Sequence, residues 1–242
     1  MNQSKIFFII GLGRSGTSLL QTIMNTFTGF CNSIEARIGN DRISCYTFVK
    51  RFNDFSYLER FIQDNWTKEY FIEKTPNSVL CLPQLFERYP NANYLFLERH
   101  PLKILLSQMN MFQPGEKDQK KREYDLFVGN IEKEDLLLNY EQHRANQVLK
   151  MIKAQVTNKH LFPKQLTIRY EDFISDLDSH LAIIENKFDI KANPKEAKKC
   201  LSRPSRSSKN NRYDIKEITD PYAINMIIES CRLWHYDYHD LK

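Results

Sequence analysis

The tract from Ile6 to Ser18 constrains the fold of this chain more than any other part of the sequence. Residues Ile6–Ile10 are five consecutive apolar positions, which is typical of a strand buried on both faces of a parallel sheet. A glycine-containing turn follows, and an apolar run at helical spacing begins near Thr17. A strand, a glycine turn and a helix start direct backbone N–H groups and the positive helix end to one point, so the tract predicts an anion site.

The spacing within this turn narrows the kind of anion. Gly11 and Gly16 are separated by four residues, which is the spacing of a P-loop, but Thr17 stands where the nucleoside triphosphate motif has lysine. Arg14 is the one cation of the turn. We therefore expect a phosphate-like group here, rather than a nucleoside triphosphate with magnesium. The residues predicted to bind it are Gly13, Arg14, Ser15, Gly16, Thr17 and Ser18.

Strand and helix patterns alternate along the chain. Strands are predicted at about 5–10, 70–74, 93–97 and 166–170, with helical patterns between them. This order predicts an α/β fold, a single domain with a central parallel sheet flanked by helices and a P-loop-type nucleotide-binding core. Ligands of such sheets lie beyond the carboxyl ends of the strands.

Two segments depart from this alternation within the single domain predicted over 1–242. A helical insert at about 28–66 is expected to shape the acceptor side of the site. The stretch 112–123 is lysine-rich and contains Pro114-Gly115, so it is predicted to be a mobile loop that closes over the acceptor.

Composition limits the class of protein. The net charge of +5 does not establish nucleic-acid binding and suits a small polyanionic ligand. No run approaches the roughly 18 apolar residues of a membrane span.

The five cysteines are scattered without a CxxC pair, so we expect reduced thiols and a cytoplasmic protein. His235 and His239 lie at helical spacing near the chain end without an evident third ligand, and no metal site is predicted.

A second anion motif follows the predicted third strand. Arg99 stands at the strand end, Pro101 comes next but one, and Ser107 follows Arg99 by eight positions. Arg99 and Ser107 could grip a second phosphate, because a guanidinium binds phosphate oxygens in a bidentate manner. A rival interpretation makes Glu98 a Walker-B acid that holds magnesium, but the missing P-loop lysine removes its companion.

Together these motifs resemble the P-loop sulfotransferases, which use 3′-phosphoadenosine 5′-phosphosulfate (PAPS). Gly13–Ser18 resembles their 5′-phosphosulfate loop, and Arg99 with Ser107 resembles their 3′-phosphate motif. Tyr170, in Arg169-Tyr170-Glu171-Asp172, is similar to the family's tyrosine against the adenine, and Ser205 and Arg206 belong to a stretch similar to its late basic loop. The resemblance spans nearly the whole chain, in order.

This resemblance implies transfer of a sulfuryl group from PAPS to a hydroxyl or amine, with adenosine 3′,5′-bisphosphate (PAP) as product and no metal required. Many cytosolic members use a histidine as base, but no histidine precedes His100 here, and His100 adjoins Arg99. Glu35 resembles the catalytic glutamate of the protein-tyrosine and some carbohydrate sulfotransferases, in the same loop.

The residues after the predicted second strand complete the expected chemistry. Lys74 resembles the lysine of the family's Lys-Thr-Pro segment and is expected at the bridging or leaving oxygen, together with Arg14. Glu73 should face away from Lys74 in a pleated strand, so it is the weaker base candidate.

The acceptor stays open between small-molecule, glycan and peptide hydroxyls or an amine, and nucleic acid is not expected. Two alternatives to a sulfotransferase also stay open. The first is a P-loop nucleotide kinase or NTPase, which would depend on magnesium and ATP. The second is a homologue that binds PAP and catalyses nothing.

Overall fold

The computed structural model describes residues 2–31, 35–38, 43–112, 114–127, 131–202 and 218–239. Its centre is a sheet of four parallel strands, β1 (Ile6–Ile10), β4 (Phe71–Glu73), β5 (Asn93–Glu98) and β6 (Gln165–Arg169). Across the sheet the strands lie in the order β4-β1-β5-β6. All four lie where the sequence predicts strands, and the α/β class is confirmed.

Strand β1 lies between two neighbours and is buried along its whole length. Because successive side chains point to opposite faces, Phe8 contributes to one apolar cluster and Phe7 to another. This is why the sequence shows an unbroken apolar run there instead of an alternating one.

Helices cover both faces of the sheet. They are α1 (Thr17–Met24), α2 (Tyr46–Phe52), α3 (Ser56–Asn65), α4 (Leu82–Arg88), α5 (Pro101–Met111), α6 (Glu116–Phe127), α7 (Tyr140–Asn158), α8 (Tyr170–Ser175), α9 (Leu177–Phe188), α10 (Pro194–Leu201) and α11 (Pro221–Leu233). Short 3₁₀ turns occupy Gln3–Lys5, Pro76–Cys81, Lys133–Leu137 and Lys159–Leu161. A third apolar cluster joins α5, α7 and α11 around Trp234.

The insert at about 28–66 is partly as predicted. Its described part contains helices α2 and α3, but also a two-stranded antiparallel hairpin of β2 (Arg37–Ile38) and β3 (Ile43–Ser44). Phe55, Phe61 and Trp66 pack against the central core, which agrees with the ordinary role of helically spaced aromatic residues.

The prediction of a mobile loop at 112–123 is wrong, because most of this stretch belongs to helix α6, Glu116–Phe127. Gly115 (φ +108°) precedes the helix and does not interrupt it. Within α6, Lys120 pairs with Glu116, Arg122 with Asp118 and Lys121 with Asp125, each four residues apart. Such pairs stabilise a helix that has almost no apolar pattern.

No helix in the described ranges is both long enough and apolar enough to cross a membrane. The five cysteines all fall in described segments, and each is a buried, free thiol.

Candidate functional site

The turn after β1 has the backbone shape of an anion cradle. Arg14 (φ +77°) and Gly16 (φ +101°) are both left-handed, a conformation that is uncommon for arginine and clusters at functional sites. Buried Ser15 donates its hydroxyl to the Leu12 carbonyl at 2.7 Å and fixes the turn. Helix α1 then begins at Thr17, so its first N–H groups face the turn.

Tyr170, which directly follows the edge strand β6, lies against this turn. A Cβ atom on Gly16 would lie 2.3 Å from Cδ2 of the Tyr170 ring, so only glycine allows this approach. The Arg99 guanidinium stacks on the same ring, 4.6 Å from its centroid. β1, β5 and β6 thus each bring a predicted residue to one place.

Two arginines meet at the cradle. Arg99 Nη1 donates to the Arg14 carbonyl at 2.7 Å, and Arg14 Nε donates to Ser107 Oγ at 3.0 Å. Ser107, predicted to act with Arg99, thus contacts the other arginine. Burial, and then the nearby charge of Arg99, lower the pKa of Arg14.

Within the described ranges, this arginine pair has no anionic partner. Among the described side chains, no carboxylate forms an ion pair with Arg14 or Arg99, and the buried Nε of Arg99 has no hydrogen-bond partner. Two adjacent, partly buried cations without a counter-ion are costly, so the arrangement favours binding of an anion between them.

Glu35 and Lys74 meet beside the cradle. Lys74 Nζ, almost fully buried, donates to Glu35 Oε1 at 2.5 Å, while Arg37 pairs with the other carboxylate oxygen. Burial by itself would raise the pKa of Glu35, but the charges of Lys74 and Arg37 outweigh it and hold the pKa below its ordinary value. Glu35 is therefore ionised at neutral pH and able to accept a proton.

A buried network fixes the loop that carries Glu35. Thr75 Oγ1 accepts the Ala36 N–H at 3.1 Å and donates to Glu73 Oε1 at 2.5 Å. The hydroxyl of Tyr46, on α2, donates to Glu73 Oε2 at 2.6 Å. Glu73 is fully buried, which raises its pKa. Sequence reasoning ranked Glu73 below Glu35 as a base, and the structure gives it this structural role.

A cavity of about 500 Å³ joins these groups. Its walls include the predicted residues Gly13, Arg14, Thr17, Ser18, Glu35 and Lys74, and also Thr75, Asn77, Gln108, Lys121, Tyr124, Asp125, Arg144 and Gln147. The members of the second group that lie on α6 and α7 were missed because α6 was predicted as a loop and because nothing in the sequence places α7 at this cavity.

The other highlighted residues lie elsewhere. Glu98, the magnesium ligand of the rival interpretation, is buried and pairs with Lys159 at 3.0 Å. His100 is buried, and its Nδ1 accepts the Leu102 N–H at the start of α5. Ser205 and Arg206 lie outside the described residues. Within the described ranges no group of three or more His, Cys, Asp or Glu residues is placed to hold a metal, and the chain-end histidines belong to none.

A comparison with known protein families shows the family of this chain. The family model described as "Sulfotransferase family" matches residues 40–194. The chain belongs to the sulfotransferase family. No curated protein sequence matches this sulfotransferase.

Solved structures show the same fold. The sulfotransferase domain of the Synechococcus PCC 7002 olefin synthase is 15% identical, covers 96% of this chain and 94% of its own, and superposes with a TM-score of 0.58. The sulfotransferase from Alicyclobacillus acidocaldarius is 15% identical over 96% of both chains, with a TM-score of 0.52. Mouse SULT7A1, solved in complex with PAP, is 14% identical over 99% of this chain and 80% of its own, with a TM-score of 0.51.

Proposed function

We propose that this sulfotransferase takes its sulfuryl group from PAPS and transfers it to a hydroxyl or amine acceptor bound in the 500 Å³ cavity. The observation that carries the proposal is the Arg14–Arg99 pair, which stands at the P-loop without a carboxylate partner among the described residues. A donor with anionic groups on both the 3′ and the 5′ position of its ribose needs two such cations. The PAP complex of mouse SULT7A1 supports the same class of donor.

The residues present fit this donor. The backbone N–H groups of the turn and of the first turn of α1 would bind the 5′-phosphosulfate, with the hydroxyls of Thr17 and Ser18. A Cβ on Gly13 would meet nothing closer than 3.9 Å, so space is open on that side of the turn. The orphaned Nε of Arg99 would serve the 3′-phosphate, and Tyr170, whose ring Arg99 covers on one face, would contact the adenine with the remainder of its ring.

In the proposed reaction, Glu35 accepts the proton of the acceptor hydroxyl while the oxygen of that hydroxyl attacks the sulfur of PAPS. The new S–O bond forms as the bond between sulfur and the 5′-phosphate oxygen breaks, and PAP leaves. Lys74 has three N–H donors and uses one on Glu35. Its other donors serve the bridging oxygen and stabilise the negative charge that develops there. Arg14 supplies the second positive charge.

Thr75 acts as a positioning residue in this scheme, since it holds the Ala36 N–H next to Glu35. We expect Thr75→Val, which keeps the shape and removes the hydroxyl, to lower kcat about tenfold with little change in PAP affinity, because small displacements of a catalytic group are costly. Thr75→Ser should restore most of the rate. Steady-state kinetics measure this, and an equal loss in PAP affinity would place Thr75 in the donor site instead.

A thermal shift experiment tests the donor. PAP at about 100 times its Kd should stabilise the fold by about 2.7 kcal/mol and raise Tm accordingly, in the presence of EDTA. ATP with magnesium should give a much smaller shift at the same concentration. Stabilisation by ATP that requires magnesium would favour the kinase or NTPase alternative. Binding of PAP without transfer from PAPS to any acceptor would favour the non-catalytic homologue.

A further inference from the structure

Helix α6 is attached to the domain by charge rather than by apolar packing. Among its described side chains, the two that are fully buried are the carboxylates of Asp118 and Asp125, and none belongs to an apolar cluster. These two residues stand seven positions apart and share one face of the helix. That face meets α7.

The contact between α6 and α7 is a continuous polar network. Asp118 accepts from Arg122 of α6 and from Arg144 of α7. Arg144 Nη1 donates to Gln147 Oε1 at 2.9 Å, and Gln147 Nε2 donates to Asp125 Oδ2 at 2.7 Å. Lys121 pairs with the other oxygen of Asp125. Every link is made by a side chain, so the network fixes where its charges stand.

The network carries more positive than negative charge. Its cations are Lys121, Arg122 and Arg144, and its carboxylates are Asp118 and Asp125. Burial lowers the pKa of Lys121, which shows that its charge is poorly solvated. The side chain of Arg144 is 1% exposed, and its buried Nε has no hydrogen-bond partner. Arg144 is paired with Asp118, but its unpartnered Nε and the one excess positive charge of the network favour an external acceptor of that hydrogen bond.

The network faces the same cavity as Glu35. Lys121, Asp125, Arg144 and Gln147 line it, together with Glu35 and Lys74. Tyr124 lines the cavity too. Burial raises the pKa of its hydroxyl, and the charges of both Asp125 and Glu35 add to this effect. Arg144 and Lys121 thus line the same cavity as the proposed base.

We infer that the acceptor of this sulfotransferase carries an oxyanion group, such as a carboxylate, which Arg144 and Lys121 receive while the hydroxyl lies at Glu35. This inference rests on the proposed function, since it assumes that Glu35 marks the reacting end of the acceptor. Arg144 lies over the Phe112 ring, 5.0 Å from its centroid, and its contacts with Asp118 and Gln147 hold the guanidinium in place, so Nε is the donor left for the oxyanion. Arg144 and Lys121 are specificity residues in this scheme.

The test measures acceptor binding to the full chain loaded with PAP, so that no turnover is needed. The probes are pairs of a hydroxy acid and its primary amide, aromatic and aliphatic, for example 4-hydroxyphenylacetate with 4-hydroxyphenylacetamide and 12-hydroxydodecanoate with its amide. Isothermal calorimetry should show at least one acid that binds ten times or more tighter than its amide. Amides that match their acids in every pair would overturn the inference.

Variants of Lys121 assign the effect to the network without removing buried Arg144. Lys121→Gln should reduce the preference for acid over amide to threefold or less, and Lys121→Glu should invert it. Lys120→Gln, one position away on the same helix but with a side chain 72% exposed, should keep the wild-type preference. A preference that survives Lys121→Gln would place the acid away from the network, and a preference seen only in protein without PAP would place it in the donor site; either result would overturn the inference.

The two proposals fail separately. If PAP does not raise the Tm of the wild-type protein, the donor assignment fails before any acceptor is tested. If PAP does raise Tm and the hydroxy acids bind no better than their amides, the donor assignment stands and the anionic acceptor is wrong.

Discussion

Glu35→Gln should lower kcat by about 10²- to 10⁴-fold, the usual contribution of a general base, while PAP binds within about twofold of wild type. Glutamine keeps the shape of the side chain and its contact with Lys74, but it accepts no proton at neutral pH. Transfer from PAPS, measured with the best acceptor, and calorimetric binding of PAP separate the two effects. Glu87→Gln, an exposed change on α4, is the matched control and should behave as wild type.

The pH dependence offers a second check on Glu35. Its pKa in the free enzyme lies below the ordinary value of 4.5, because Lys74 and Arg37 outweigh burial. A base acts in its ionised form, so kcat/KM should stay high as pH falls to that value and decline only below it. A wild-type rate for Glu35→Gln, or an acid limb near neutral pH, would show that another group is the base.

Arg99→Ala should weaken PAP binding by about 10- to 100-fold and adenosine 5′-phosphate binding by about twofold. The large loss reflects about 1.5–3 kcal/mol for charge-assisted hydrogen bonds to the 3′-phosphate, which adenosine 5′-phosphate lacks. The small loss reflects the donation from Arg99 to the Arg14 carbonyl, which helps to hold the turn. Competition binding of the two nucleotides measures the ratio.

Arg88→Ala is the control for loss of a positive charge, because Arg88 is exposed and pairs with Glu59 on the outer surface. It should leave both affinities unchanged. Equal losses for PAP and adenosine 5′-phosphate in Arg99→Ala would remove Arg99 from the 3′-phosphate site and assign it to the P-loop alone.

The P-loop turn and the residues that meet it at the strand ends could be predicted because their signals are local. The apolar run of β1, the glycine spacing after it and Arg99 at the end of β5 each follow from a few consecutive residues, and parallel strands bring their ends together. The resemblance assigned Tyr170 to the adenine, whereas its contact with Gly16 is a matter of tertiary packing that only the structure gives.

The other walls of the cavity could not be predicted, for two physical reasons. Helix α6 lacks the apolar periodicity that predicts a helix, because it buries Asp118 and Asp125 instead of apolar residues. Thr75 binds Ala36, which is 39 residues away in the sequence, and Arg144 binds Asp118, which is 26 residues away. No local sequence pattern predicts such pairs. A search for opposite charges four residues apart would have favoured a helix over 116–127.

The close approach of Tyr170 to Gly16 has a consequence for synthesis of the protein. The turn after β1 is made within the first 18 residues, yet the ring that supports it begins α8, directly after β6 and some 150 residues later. A nascent chain that has emerged only as far as β5 presents the turn without that support. The turn therefore gains its full packing only when the last strand has joined the sheet.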